Sequence, residues 1–279
     1  MRKLAPLVLL IFWSFPAGAQ QLSPEAKWAK QTAAEYESHP DIVYRKANQF
    51  ECKLDVISAT DKARPRLTLI YIHGGGWFAG SKESATLRTL PFLAAGMNAV
   101  KVEYRLGPVS LAPAAVEDCR CALRWVYQHS KEYGFDLDHL VVEGYSAGGH
   151  LGLMTGILTP DAGFDNECPG KEKLQVAAIV NYYGVTDVAD LLAGPNERSY
   201  AVEWLGSLRD RLELAKQLSP LTYVRAGLPP IFTAQDDATP TYPISTASAC
   251  IKRRSKRACR TSFTPYPAAN TGAGLPSRI

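Results

Sequence analysis

A serine between two glycines is the residue of this chain best suited to nucleophilic chemistry. Residues 144–148 have the pattern Gly-x-Ser-x-Gly around Ser146, between a predicted strand at 140–143 and a predicted helix at 147–158. A serine in such a strand-to-helix turn projects its hydroxyl above the sheet, and the helix N-terminus favours developing negative charge. The pattern predicts Ser146 as a nucleophile, and an ordinary Gly/Ser-rich turn is the alternative.

A second glycine-rich segment could supply the hydrogen-bond donors that such a nucleophile needs. His73-Gly-Gly-Gly-Trp77 directly follows a predicted strand at 67–72. Three consecutive glycines can turn their N–H groups toward one point, as a tetrahedral oxyanion requires, and the N–H of Ala147 would complete the hole. A flexible glycine turn is the alternative. His73 is interpreted as a structural histidine that orients the loop rather than as a general base.

Strand and helix patterns alternate around these two segments. Further strands are predicted at 99–104, 176–180 and 230–233, and a helix is predicted at 114–133. Strands that alternate with helices indicate βαβ units and a mostly parallel sheet that is covered on both faces. The sequence therefore predicts the α/β class, with one sheet domain over residues 20–234.

The combination of motifs resembles one family, the α/β-hydrolase esterases of the hormone-sensitive-lipase and feruloyl/acetyl-esterase-like (BD-FAE-like) type. The motifs that carry the resemblance are His73-Gly-Gly-Gly-Trp77, Tyr104-Arg-Leu106, Pro113-Ala-Ala-Val-Glu-Asp118, Gly144-Tyr-Ser-Ala-Gly-Gly-His150 and Tyr183-Gly-Val-Thr-Asp187. The resemblance covers residues 42–234, and it implies the α/β-hydrolase fold, a mostly parallel central sheet with helices on both faces.

The same resemblance implies a site and a reaction. Ser146 is the implied nucleophile, and Gly75, Gly76 and Ala147 are the implied oxyanion donors. The implied substrate is a small-molecule carboxylic ester, which would be cleaved through an acyl-enzyme. Neither a metal nor an organic cofactor is implied.

The general base of such a reaction is missing from its expected place. In this fold the acid and then the histidine follow the serine along the chain, and the histidine accepts the serine proton. The histidines of the chain are His39, His73, His129, His139 and His150. None follows His150, for which the resemblance implies a structural role, as it does for Asp187. The family position of the base lies near Thr271.

The acid of the reaction is also missing from its expected position. The family pattern Asp-x-x-Val-Pro is expected soon after the strand at 230–233, and the corresponding segment has Thr239 at the acid position. Asp237 lies two residues early and is only a weak substitute. A basic run at 252–257 follows.

A shifted reading frame accounts for these departures together. When each codon is read as the last base of one residue and the first two of the next, the junction of Ala238 and Thr239 can encode Asp, followed by Pro-Asp-Val-Pro. In the same frame the junction of Asn270 and Thr271 can encode His. We therefore interpret residues 235–279 as an aberrant tail that replaces the segment with the acid and the histidine.

The composition excludes several other classes. With 46% hydrophobic and 21% charged residues, the chain is typical of a soluble globular protein rather than a disordered one. Its formal net charge of +4 comes from residues 235–279, which hold seven Lys/Arg against two Asp. Nucleic-acid binding by that basic tail is a hypothesis, but no nucleic-acid partner is expected.

The N-terminus has the three parts of a secretory signal. Arg2 and Lys3 precede an apolar segment at 4–13, and Ala17-Gly-Ala19 is a cleavage site. Residues 1–19 are therefore predicted to be removed, and the mature protein is expected to be exported, periplasmic or secreted, and free of the membrane. In that compartment cysteines can pair, although the sequence leaves the pairing open.

The sequence therefore predicts an esterase that is impaired or inactive, because no histidine follows Ser146. A non-catalytic binding protein on a hydrolase scaffold is the first alternative, and an arylformamidase-type amidase is the second. The sequence does not predict the ester or the oligomeric state.

Overall fold

The computed structural model of the chain describes residues 22–235, and these form one seven-stranded sheet with helices around it. The strands are β1 (Tyr36–Ala47), β2 (Phe50–Ala59), β3 (Arg66–Ile72), β4 (Asn98–Val102), β5 (Phe135–Tyr145), β6 (Ala178–Tyr182) and β7 (Ile231–Ala234). The α-helices are α1 (Pro24–Glu35), α2 (Thr86–Ala94), α3 (Ala114–Gln128), α4 (Ser130–Tyr133), α5 (Ala147–Ile157), α6 (Ser199–Leu205) and α7 (Arg211–Gln217).

The sheet confirms the predicted fold class. Its strand order is β1-β2-β4-β3-β5-β6-β7, and the pairs from β4 to β7 are parallel. The pairs β1–β2 and β2–β4 are antiparallel. The carboxyl ends of β3, β5 and β6 therefore meet at one edge of the sheet, where open α/β sheets place their ligands.

The predicted helix at 114–133 is two helices. The helix α3 ends at Gln128, and α4 follows after His129. Gly134 then stops α4 in the left-handed conformation, with φ 67°. The strand β5 begins directly afterwards, five residues earlier than predicted from the apolar run at 140–143.

The helix α5 packs closely on the sheet because three glycines line one of its faces. Gly148, Gly152 and Gly156 are four residues apart, and residues at this spacing share a helix face. A Cβ on Gly148 would lie 2.2 Å from the carbonyl oxygen of Ile72, and one on Gly156 would lie 2.6 Å from the Ile179 side chain. Larger residues would push the helix that follows Ser146 away from the strands.

Buried ion pairs fix the helix α3. Both carboxylate oxygens of Asp118 accept hydrogen bonds from Arg105, and Oδ1 also accepts one from Arg45 at 2.8 Å. Each of these side chains is less than 10% exposed. One buried carboxylate thus joins α3 to β1 and to the segment after β4.

A disulfide also joins α3 to the loop that precedes β6. Cys121 and Cys168 are bonded, whereas Cys52 and Cys119 are buried free thiols. No helix within residues 22–235 is long and apolar enough to cross a membrane.

Some predictions concern residues outside the described part of the chain. They are the signal segment 1–19, the acid candidates Asp237 and Thr239, the base position near Thr271, and the aberrant tail beyond Gln235.

Candidate active site

Ser146 stands at a sharp turn between β5 and α5. Its φ of 54° is a left-handed value that a non-glycine residue adopts only at a cost of about 1–3 kcal/mol. Its N–H donates to the carbonyl of Tyr182 at 2.9 Å, which ties the turn to the end of β6. A Cβ on Gly144 would lie 2.2 Å from the carbonyl oxygen of Gly148. The flanking glycines therefore permit the strained turn, as the motif predicts.

The glycine loop after β3 packs directly against this turn. A Cβ built on Gly74 would lie 3.6 Å from the Cβ of Ser146. Gly75 and Gly76 have φ values of 124° and 61°, which favour glycine. The carbonyl of Gly75 accepts the N–H groups of Phe78 and Ala79 and closes a tight turn. The structure thus brings the loop that contains Gly75 and Gly76 against the turn of Ser146.

The third predicted donor, Ala147, begins the helix α5. The first N–H groups of a helix have no acceptor within the helix, and the helix dipole adds positive potential at that end. Ala147 is buried, with 1% of its surface exposed. Its position therefore suits it to donate to an oxyanion above Ser146.

His73 is a structural residue of the glycine loop. Its Nδ1 lies 2.8 Å from the carbonyl oxygen of Gly74, and this nitrogen must donate because a carbonyl only accepts. Its ring stacks on Tyr104 with centroids 4.3 Å apart. Tyr104 in turn donates its hydroxyl to the carbonyl of His73 at 3.0 Å. These contacts hold the loop in place, as predicted.

His150 lies one helical turn after Ser146, but both nitrogens of its ring are hydrogen-bonded to buried residues. Its Nδ1 accepts from the indole Nε1 of Trp77 at 3.2 Å, and its Nε2 donates to the carbonyl of Leu218 at 2.8 Å. Burial lowers its pKa to about 4, against the opposing hydrogen bond to Leu218. A neutral histidine with both ring nitrogens occupied cannot take a proton from Ser146.

The remaining histidines lie elsewhere, and the ring of His39 packs edge-on against Tyr133 with centroids 5.2 Å apart. His129 stacks on Trp125, with Nδ1 2.9 Å from that residue's carbonyl oxygen. His139 pairs with Asp136 at 2.8 Å. Within residues 22–235, no histidine forms a hydrogen bond with Ser146.

The end of β7 lies on the other side of the serine. Tyr183 donates its N–H to the carbonyl of Ala234 at 2.8 Å, and the preceding Tyr182 accepts from Ser146. The chain therefore reaches its last described residue, the buried Gln235, two strands away from Ser146.

An aromatic cluster that the sequence motifs did not reveal covers the glycine loop. Trp77 stacks on Trp204 of α6 with centroids 4.3 Å apart, and Tyr200 lies 5.9 Å from Trp77. A Cβ on Gly76 would lie 3.5–3.7 Å from Tyr200 atoms. No local signal marks α6, because its contacts with the glycine loop come from residues more than 100 positions earlier.

Glu143 is a second residue that the motifs missed. It lies on β5 three residues before Ser146, is 1% exposed, and its Oε2 has no hydrogen-bond partner among the described residues. Burial raises its pKa to about 7. A hydrogen bond with Tyr145 and the positive charge of Arg88 lower the pKa and so oppose this rise. It lies with Tyr145 on the sheet face opposite the main core, because alternate residues share a face.

No cluster of His, Cys, Asp or Glu within residues 22–235 has the arrangement of a metal site. Asp187 accepts the N–H of Asp190 at 3.2 Å and lies 3.5 Å from the hydroxyl of Ser219. These local contacts fit the structural role that the resemblance implies for it.

A family model described as BD-FAE matches residues 54–253, so its last part falls within the predicted aberrant tail. Esterase LipC of Mycobacterium tuberculosis is 27% identical over 231 residues, which cover 80% of this chain and 57% of LipC. Esterase LipQ of the same organism is 26% identical over 268 residues, 92% of this chain and 60% of LipQ. The chain thus spans somewhat more than half the length of these curated relatives.

Among solved structures, native esterase 2 of the planctomycete Thermogutta terrifontis is similar in fold. It is 29% identical, with a TM-score of 0.66, and the match covers 86% of this chain and 83% of that one. The same protein is known with propionate bound, with butyrate bound and phosphorylated by paraoxon. These likenesses confirm the α/β-hydrolase fold and the predicted resemblance.

Proposed function

This chain belongs to the BD-FAE family, and we propose that it is a carboxylic ester hydrolase whose nucleophile is Ser146. One observation carries the proposal: the glycine loop lies against the strained turn, with the Cβ position of Gly74 3.6 Å from the Cβ of Ser146. This arrangement suits Gly75, Gly76 and Ala147 to bind an oxyanion. Each such donor typically lowers the barrier by about 2.7–4 kcal/mol.

The proposed reaction has two halves. The hydroxyl of Ser146 adds to the ester carbonyl, and its proton passes to a base while the negative charge forms on the carbonyl oxygen. Collapse of this intermediate releases the alcohol, which takes up a proton, and leaves an acyl-enzyme on Ser146. Water then adds to the acyl carbonyl. Collapse of this second intermediate releases the carboxylic acid product and frees the hydroxyl of Ser146.

The reaction requires a general base that the residues around Ser146 do not supply. His73 and His150 have hydrogen-bonded rings that hold the loop and the core, and no histidine follows His150. We therefore place the missing acid and histidine in the shifted frame beyond Gln235, where the chain leaves β7 beside the site. Without a histidine the rate should fall by at least about a thousand-fold.

A binding protein on a hydrolase scaffold is the second candidate, because no histidine follows His150. It predicts that Ser146 is unreactive in every version of the chain. The esterase proposal predicts instead that restoring the frame creates a reactive serine.

Paraoxon separates these candidates, since the Thermogutta esterase 2 is phosphorylated by it. We expect the frame-restored chain to gain one diethylphosphoryl group on the peptide that contains Ser146, as measured by mass spectrometry. The Ser146→Ala variant is the control and should gain none. Labelling that is absent from the restored chain, or that survives in Ser146→Ala, would overturn the proposal.

Export is proposed together with this activity. The signal pattern at 1–19 and the disulfide between Cys121 and Cys168 both fit an oxidising compartment. N-terminal sequencing of the exported protein should begin at Gln20. A mature protein that begins at Met1 in the cytoplasm would overturn this part.

A further inference from the structure

A cavity of about 340 Å³ lies at the edge of the sheet opposite Ser146. Val176 and Pro229, which line it, lie just before the parallel strands β6 and β7. Gly156 and Leu158 line it from the end of α5. Since α5 has 11 residues, which span about 16 Å, the cavity is separate from the candidate active site.

The lining of this cavity combines apolar side chains with two positive charges. Leu158 and Val176 are buried, and Leu174 packs against the same core. Lys173 and Arg225 line the cavity as well, and both are exposed. Cavities of this size that are mainly apolar, with a few polar groups to fix orientation, are typical small-molecule sites.

The guanidinium of Arg225 is positioned by neutral groups. Its Nη2 donates to the carbonyl of Ile157 at 2.8 Å, and its Nη1 donates to the carbonyl of Tyr223 at 3.1 Å. A guanidinium has five N–H donors, so these two bonds do not exhaust it. They also leave its positive charge uncompensated, because a carbonyl carries no net charge.

The neighbouring carboxylates have other partners. Glu172 pairs with Arg124 at 2.8 Å. Hydrogen bonds from the Thr159 side chain and from its own backbone lower the pKa of Asp161, and the charge of Arg225 adds the smallest part. Within residues 22–235, no carboxylate forms an ion pair with Lys173 or Arg225. The two positive charges therefore remain available to an anion.

The wall that contains Lys173 is held in place from behind. The hydroxyl of Tyr127 donates to the carbonyl of Gln175 at 2.8 Å and accepts the N–H of the same residue at 2.9 Å. The disulfide between Cys121 and Cys168 holds the start of this segment to α3. An anion would therefore meet a preformed wall and pay little to order it.

We propose that this cavity binds an organic carboxylate. Its charged group lies between Lys173 and Arg225, and its apolar part lies against Leu158, Leu174 and Val176. The site is independent of the proposed function, because it uses neither Ser146 nor the glycine loop.

The test is an NMR titration of the full chain with octanoate. We expect saturable shifts of the amide signals of Gly156, Val176 and Gly227, which line the cavity. Lys173→Gln should weaken binding about tenfold, the usual effect of losing a hydrogen bond to a charged group. Lys173 is exposed, so its variants should keep the fold. Lys173→Arg keeps the charge and should bind as the wild type does.

Lys171→Gln is the matched control, because Lys171 is exposed but lies outside the cavity. It should bind octanoate as the wild type does. Octanamide, which has the same chain without the charge, should bind about tenfold more weakly than octanoate. Inorganic phosphate should shift the same signals less than octanoate does, because it has no apolar part.

Four results would overturn the proposal. The first is equal binding of octanoate by Lys173→Gln and the wild type, and the second is equal binding of octanamide and octanoate. The third is a phosphate effect as strong as that of octanoate. The fourth is the absence of shifts at the cavity, including the case in which octanoate shifts only residues 74–76 and Ala147. In each case the proposed function would stand.

Discussion

The indole of Trp77 donates a hydrogen bond to Nδ1 of His150, 3.2 Å away, and so ties the glycine loop to the helix behind Ser146. The loop follows β3 and the helix follows β5, and the two strands are neighbours in the sheet. The bond joins the element that would supply the oxyanion donors to the element that would supply the nucleophile. Their relative position is thereby set by buried side chains rather than by the loop alone.

Trp77→Phe should weaken both the fold and the site. The change leaves the buried Nδ1 of His150 without a donor, which costs about 1–3 kcal/mol. Urea unfolding measures that cost, and kcat of the frame-restored chain should fall while KM changes less. Trp125→Phe is the matched control, because it changes a tryptophan outside this cluster and should leave kcat unchanged. Equal kcat in wild type and Trp77→Phe would contradict the role of the bond.

His150 should make the fold sensitive to acid. Its folded pKa of about 4 lies below the ordinary value of 6.5, so below pH 6.5 the unfolded state binds the extra proton. The free energy of unfolding should fall by roughly 1.4 kcal/mol per pH unit from this group as pH drops from 6.5 to 4. Denaturant unfolding across that range should show a shallower slope in His150→Gln. The exposed His139→Gln should keep the wild-type slope, and so would His150→Gln if this account were wrong.

Glu143 should have the opposite pH dependence. Its folded pKa of about 7 lies above the ordinary value of 4.5, so the folded state holds a proton that the unfolded state releases. Stability from this group is present below pH 4.5 and is lost as pH rises to about 7. Glu143→Gln should therefore be more stable than wild type at pH 8, by about 1–3 kcal/mol, and similar at pH 4.5. Glu132→Gln, at an exposed position, is the control. Lower stability of Glu143→Gln at pH 8 would contradict the prediction.

Asp118→Asn should be among the most damaging changes in the core. It would leave Arg45 and Arg105 buried without their common carboxylate, at a cost of about 3–5 kcal/mol. Glu167→Gln removes a partner of Arg45 that is 56% exposed and should cost less than about 1 kcal/mol. Chemical denaturation of the two variants checks the order, and similar losses in both would contradict it.

The sequence revealed the parts of the site that lie within single motifs. Ser146 and the glycine loop were predicted because turn chemistry requires glycine at fixed offsets, and apolar runs located the parallel strands beside them. The antiparallel strands β1 and β2 were both missed. Polar residues interrupt the apolar positions of each strand, and irregularities interrupt their pairing.

Contacts between distant segments could not be predicted in this way. The acceptor of His150 is the carbonyl of Leu218, 68 residues later. Tyr200 lies beside Gly76 but belongs to α6, a helix that no sequence pattern predicted. The disulfide between Cys121 and Cys168 was one of several possible pairs, because spacing does not determine connectivity.

The most direct test of the central claim compares the chain as it stands, its frame-restored form and the restored Ser146→Ala variant. The measurement is kcat/KM for p-nitrophenyl butyrate at neutral pH. We predict that the restored chain exceeds both others by at least about a thousand-fold, because only it has nucleophile, acid and histidine together. The central claim is that this protein is a serine esterase whose acid and histidine lie in a shifted reading frame. A restored chain that hydrolyses the ester no faster than its Ser146→Ala variant would contradict that claim.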